Sequence, residues 1–150
     1  MNFFNTKKKQ EAARQKDEQE QAQTRFYVSL IEEAEKAEEK GRAAGRQLSN
    51  RVTQIERVRA VPAEELTVED FEILVNADYL LSLGIEAEII EWSDAQEAWQ
   101  KAESIAQQYW GRSDRRTQQK ITEIAARIKT LQGHQATLRE RIRRSEAARN

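Results

Sequence analysis

The chain has 150 residues, of which 34% are charged, 38% hydrophobic and 7% aromatic, with five Gly, one Pro, no Cys and a formal net charge of −1. That length suits one domain. The lack of cysteine excludes a disulfide framework, thiol chemistry and a thiolate metal site, and no run of eighteen apolar residues is present to span a bilayer.

Gly and Pro are scarce while Ala, Glu, Gln, Arg, Lys and Leu abound, which is the composition of long helices. Low apolar content limits the core that one copy can bury, so the burial is shared along an extended bundle or with partner chains. The expected fold class is all-α: an elongated helical bundle or coiled coil of long helices with a kinked acidic central helical region. The breakers divide it as 1–60, 61–111 and 112–150.

The first segment opens on Phe3-Phe4 ahead of Lys7-Lys8-Lys9. Its basic run follows the apolar pair and no long apolar stretch comes next, which is unlike a secretory signal. The setting expected is therefore cytoplasmic. Phe3 and Phe4 are a candidate docking tail for a protein groove, since one basic cluster with two rings is a weak membrane anchor. Residues 7–24 hold only Ala12, Ala13 and Ala22 as apolar positions, the pattern of a solvated helical arm or of a segment that orders on a partner. Tyr27, Leu30, Ala34, Ala37, Gly41, Ala44 and Leu48 then form a stripe whose small middle residues admit a closely approaching helix. The register slips after Leu48 and continues through Val52 and Ile55. A single helix over 7–59 is expected, about 80 Å long.

Pro62 ends that helix by disfavouring helical geometry at Val61. Thr67-Val68-Glu69-Asp70 reads as a capping box opening a second helix, with Phe71, Leu74, Leu80, Leu81 and Leu83 among its apolar positions. Gly84 followed by Ile85 predicts a left-handed C-cap. The stretch from Leu80 to Gly84 resembles the turn of a helix-turn-helix, but Glu86, Glu88 and Glu91 would repel DNA phosphates, so a helical corner is expected. Residues 85–91 alternate like a strand, yet no partner strand is evident and a helix is expected. Ser93-Asp94 offers a further helix start. Trp92, Trp99 and Tyr109 share a helical spacing and are read as an aromatic core.

Gly111 to Asp114 ends this region, with Ser113 as the expected N-cap of the last helix. There, Ile121, Ile124, Ile128, Leu131, Gln135, Leu138 and Ile142 follow alternating steps of three and four. That heptad stripe is a helix–helix seam, serving either an oligomer or the inside of a bundle.

Charge is unevenly spread. Residues 1–60 carry thirteen Lys/Arg against ten Asp/Glu, residues 61–111 one against twelve, and residues 112–150 eleven against four. Such complementarity is satisfied within one chain if the last helix folds along the middle one, or between chains. Arg139, Arg141, Arg143 and Arg144 are a candidate surface for an anionic partner, but no aromatic residue follows Trp110 to stack on bases.

No catalytic, cofactor-binding or metal-binding residue is expected. His134 has no nucleophile or second acid beside it, and Glu32-Glu33, Glu38-Glu39 and Glu64-Glu65 read as solvated faces. The function expected is non-enzymatic: a scaffold, connector or adaptor acting through helix–helix contacts, with protein partners, self-association, no membrane and no small-molecule substrate. Charge-rich, cysteine-free helical chains of this size occur among phage and viral scaffolding, connector and internal virion proteins, so a virion setting is a class-level analogy. The rival readings are a nucleic-acid-binding accessory protein using the C-terminal arginines, and a regulatory module presenting the acidic centre at Glu86, Glu88 and Glu91.

Overall fold

The computed structural model describes residues 3–149 and is all-α among them. Helix α1 spans Phe3–Arg59, a 3-10 turn covers Ala63–Glu65, α2 spans Val68–Val75, α3 spans Ala77–Trp110 and α4 spans Arg115–Arg149. At 57 residues α1 is about 85 Å long.

Local chemistry sets most of the boundaries. Arg59 is the last helical residue of α1, three positions before Pro62. The Thr67 hydroxyl accepts from the Asp70 amide at 3.1 Å, while the Asp70 carboxylate accepts from the Thr67 amide at 3.2 Å, which closes the expected capping box. Gly111 stands at φ 68°, a left-handed conformation that glycine adopts without a Cβ penalty. It caps α3 through its amide to the Gln107 carbonyl at 2.8 Å.

Four expectations need correction. Gly84 is no C-cap: it lies inside α3, and its lack of a Cβ admits Leu48 of α1, whose Cδ1 is 2.9 Å from where that Cβ would stand. The helical corner there is therefore absent, and α3 runs straight through residues 85–91. No helix begins at Ser93-Asp94, both of which are exposed on the outer side of α3. The break falls instead at Asn76, whose side chain donates to the Glu72 carbonyl at 2.9 Å. Finally, the N-cap of α4 is Asp114, which accepts from the Arg116 amide at 3.2 Å, and Ser113 accepts from the Gln118 side chain instead.

Helix α3 packs on both α1 and α4. It runs antiparallel to α1, since Leu48 meets Gly84, Gly45 meets Glu88, Gly41 meets Trp92 and Tyr27 meets Trp110. It is antiparallel to α4 as well, because Arg141 pairs with Asp78 and Arg127 with Glu88. One core cluster joins Ala34 of α1, Ala95 and Trp99 of α3, and Ile124 and Ile128 of α4. A second joins Ile85 to Leu131 and Leu138. Every residue from Phe3 to Ala22 is exposed, so the first turns of α1 project beyond the bundle as a bare helix.

Candidate protein-binding surface

The heptad stripe of α4 faces α3 within the same chain. Ile124, Ile128, Leu131, Gln135 and Leu138 are buried, and Ile121 and Ile142 at its ends are half-buried. The small-residue stripe of α1 also faces α3: Leu30, Ala34 and Gly41 are buried, with Tyr27, Ala37, Ala44 and Leu48 half-buried. The Trp92 ring sits over Gly41, where a Cβ would stand 2.6 Å from Trp92 Cδ2. Burial of this apolar area, at about 25 cal/mol per Å², is what holds three otherwise polar helices together.

Charge complementarity is likewise used inside the chain. Glu88, 1% exposed, accepts from Arg127 Nε at 2.8 Å, Arg127 Nη2 at 3.1 Å and Trp92 Nε1 at 2.9 Å. A buried carboxylate survives only with such paired donors. Glu38, also buried, takes Lys120 Nζ at 2.7 Å and Arg42 Nη1 at 3.0 Å, tying α1 to α4. These placements correct two readings of the sequence. Glu38 is no part of a solvated face, and Glu88 is withdrawn from the acidic surface that a regulatory module would present. A polar side chain in the core gave no sequence signal beyond its position on the seam side of α3.

Of the aromatic residues, Trp99 is 1% exposed and its Nε1 has no hydrogen-bond partner among the protein atoms. Trp92 is half-buried between Gly41 and Glu88. Tyr109 is half-buried in a group at the bundle end, 5.7 Å from Trp110 and 6.5 Å from Phe26 by ring centroids, with Tyr27 5.2 Å from Trp110.

The C-terminal arginines are largely engaged. Arg141 reaches Asp78 at 3.1 Å, and Arg143 and Arg144 both reach Glu140, at 2.7 and 3.1 Å. Hydrogen bonds from Arg143 and then Arg144 hold the Glu140 carboxyl below its ordinary pKa, and the same Glu140 bond raises that of Arg143. On α1, Arg46 and Arg42 lower Glu39 in the same way. These are exposed groups and the interactions are screened by solvent.

What the chain leaves uncovered lies elsewhere. Val68, Phe71 and Val75 of α2 and Tyr79, Leu83 and Ile90 of α3 are all exposed. Within each helix the spacing, 68, 71 and 75 in α2 and 79, 83 and 90 in α3, keeps these side chains on one face, and the two faces follow one another across the break at Asn76. Val68 is 78% and Phe71 61% exposed, values that a helix normally reserves for polar side chains. Glu64, Glu65, Glu69, Glu72 and Glu86 are exposed on the same two helices and their lead-in, and among the described residues none of them forms an ion pair. Val75 and Tyr79 border a cleft with Leu74 and Ile142, flanked by Arg59 and Arg149. The second uncovered feature is the arm, where Phe3 is 69% and Phe4 74% exposed. Lys7 Nζ lies 5.2 Å from the Phe3 ring centroid.

Sequence reasoning placed Phe71 and Leu83 in the central apolar region without seeing that they stay in water. The available signal was that residues 68–85 carry apolar side chains on more than one face, more than one partner helix can cover. Among the described residues, no group of three His, Asp or Glu is placed to hold a metal ion, and no helix is long and apolar enough to cross a membrane. Neither a protein-family model, nor a curated protein, nor a solved structure matches this chain. The functional reading therefore rests on the geometry.

Proposed function

We propose that the chain is a non-enzymatic assembly protein, a scaffold, connector or adaptor that works by protein–protein contact through the uncovered α2–α3 stripe. The observation that carries this is the stripe itself. The helix faces of the bundle are matched to one another, yet six large apolar side chains remain in water along two consecutive helices. A contiguous exposed apolar strip with a polar rim is how interaction sites differ from ordinary surface. Both seams read from the sequence, on α1 and α4, are occupied inside the chain, so assembly falls to this third surface.

Light scattering of the intact chain over a concentration series tests the reading, beside Phe71→Asp/Tyr79→Asp. Both substituted positions are exposed, and unchanged circular dichroism checks that the fold is kept. The expected result is a mass that rises with concentration for the native chain and stays that of a monomer for the variant. A native chain that is monomeric throughout, and that binds a duplex DNA in a steeply salt-dependent way lost on Arg139→Ala/Arg143→Ala/Arg144→Ala, replaces this reading with the nucleic-acid one.

A further inference from the structure

We infer that the stripe receives the N-terminal arm of a second copy, with Phe3 and Phe4 seated on Phe71, Val75, Tyr79 and Leu83, so that copies join head to tail. The inference rests on the assembly reading and names its partner.

Three observations select the arm. Outside the stripe it carries the two most exposed large apolar side chains, Phe3 at 69% and Phe4 at 74%, against 42% for Phe26, 47% for Val28 and 42% for Trp110, on a helix whose every residue from Phe3 to Ala22 is exposed. Its charge is complementary: Lys7, Lys8 and Lys9 follow the rings after two residues, while the stripe is accompanied by Glu64, Glu65, Glu69, Glu72 and Glu86, and the clefts beside it add Asp70, Asp78 and Glu146 against Arg51, Arg57, Arg59 and Arg149, which leaves an acidic balance. Face-to-face pairing of two stripes brings the two acidic rims together, which like-charge repulsion opposes. Third, the two features lie at opposite ends of the bundle. Helix α2, which carries the first half of the stripe, packs beside the C-terminal end of α1, and its Asp70 and Ile73 line one cleft with Thr53, Arg57 and Val58. Along α1 the distance from Phe4 to Val52 is about 70 Å, and α1 is one unbroken helix, so the arm does not reach its own stripe. An arm and a receptor at opposite ends make a heterologous contact, which propagates into a ring or an open filament.

Mixing two variants tests this. Phe3→Ser/Phe4→Ser keeps the receptor and loses the arm; Phe71→Asp/Tyr79→Asp keeps the arm and loses the receptor. All four positions are exposed, and unchanged circular dichroism checks that the fold is kept. Each variant alone is expected to be monomeric, and the equimolar mixture to form a dimer of about 35 kDa, twice the 17.4 kDa chain, that grows no further. Lys7→Glu/Lys8→Glu/Lys9→Glu is expected to weaken association roughly tenfold, three surface pairs acting together. Self-association of the arm variant equal to that of the native chain overturns the arm as occupant and leaves the assembly reading standing. A mixture that remains monomeric overturns the arm-to-stripe pairing. A native chain that never associates overturns both.

Discussion

Trp92 and Gly41 are in contact closer than any side chain on residue 41 permits. A Cβ there would lie 2.6, 2.7 and 2.8 Å from the Trp92 atoms Cδ2, Cε3 and Cε2. The neighbour is a rigid ring, itself held by the Nε1 hydrogen bond to Glu88, so it cannot turn aside as the tip of a flexible chain does.

The helical glycines therefore form a graded series. Replacing glycine by alanine in a helix interior gains about 1 kcal/mol of propensity. Gly133 is exposed with nothing within 4 Å of the new Cβ, so Gly133→Ala is expected to realise that gain. At Gly84 the obstacle is Leu48 Cδ1 at 2.9 Å, a side-chain end that rotates away, and Gly84→Ala is expected to be nearly neutral. Gly41→Ala forces α1 and α3 apart at a cost of about 1–3 kcal/mol, which exceeds the propensity gain. Thermal unfolding should rank the variants Gly133→Ala, Gly84→Ala, Gly41→Ala from most to least stable. A Gly41→Ala melting point at or above the native one contradicts the close contact.

The same comparison shows what a sequence conveys about such a protein. Periodic and capping signals are local, and Ile121 to Ile142, the Thr67–Asp70 box and the turn at Gly111 were all legible because neighbouring residues decide them. Gly84 looked like a helix end since its reason, Leu48, lies 36 residues away in the chain. Ser93-Asp94 carries start chemistry that a helix already anchored at Ala95 and Trp99 overrides. Burial of Glu38 and Glu88 depends on cations brought from α4, and nothing beside them in sequence announces it. The arm pair Phe3-Phe4 was visible as a tail. Its proposed receptor was not, because exposure is a property of how three helices share their faces.

Ile128 tests the packing of the last seam. It is buried in the cluster with Ala34, Ala95, Trp99 and Ile124. An ionised carboxylate there would stand among apolar side chains, and its desolvation costs several kcal/mol. Ile128→Asp is expected to abolish the cooperative thermal transition at neutral pH, seen by circular dichroism. An unchanged transition contradicts the internal seam.

Glu39 and Glu140 give the acid limb of stability its shape. Arg46 and Arg42 lower the Glu39 carboxyl, and Arg143 and Arg144 lower Glu140. A folded-state value below the unfolded one means the stabilisation is fully present above the unfolded carboxylate value, about 4.3, and is lost as pH falls through the depressed folded value. Both groups are exposed, so the contribution is small and ionic. Glu39→Gln/Glu140→Gln is expected to flatten the decline in melting temperature below pH 4.5 at low ionic strength. In 1 M salt, where screening acts over about 3 Å, the variant and the native chain should coincide. A difference that persists in salt assigns the effect to packing.

Glu88 and Arg127 carry the sharpest energetic contrast in the fold. The carboxylate is buried and the guanidinium side chain 45% exposed, so the pair lies at the edge of the α3–α4 contact with only its acid in the dry interior. Removing the cation leaves Glu88 with the Trp92 Nε1 donor alone. Arg127→Met is therefore expected to cost about 3 kcal/mol, the low end for a broken buried pair because Arg127 is half in water. At this chain length that is roughly 6–12 °C in melting temperature. Glu88→Met/Arg127→Met removes both charges and is expected to recover most of the loss, since an apolar replacement of the whole pair is often neutral. A double-mutant cycle by chemical denaturation measures the coupling. Additive single effects would mean that the two side chains, despite hydrogen bonds of 2.8 and 3.1 Å, do not depend on one another for stability.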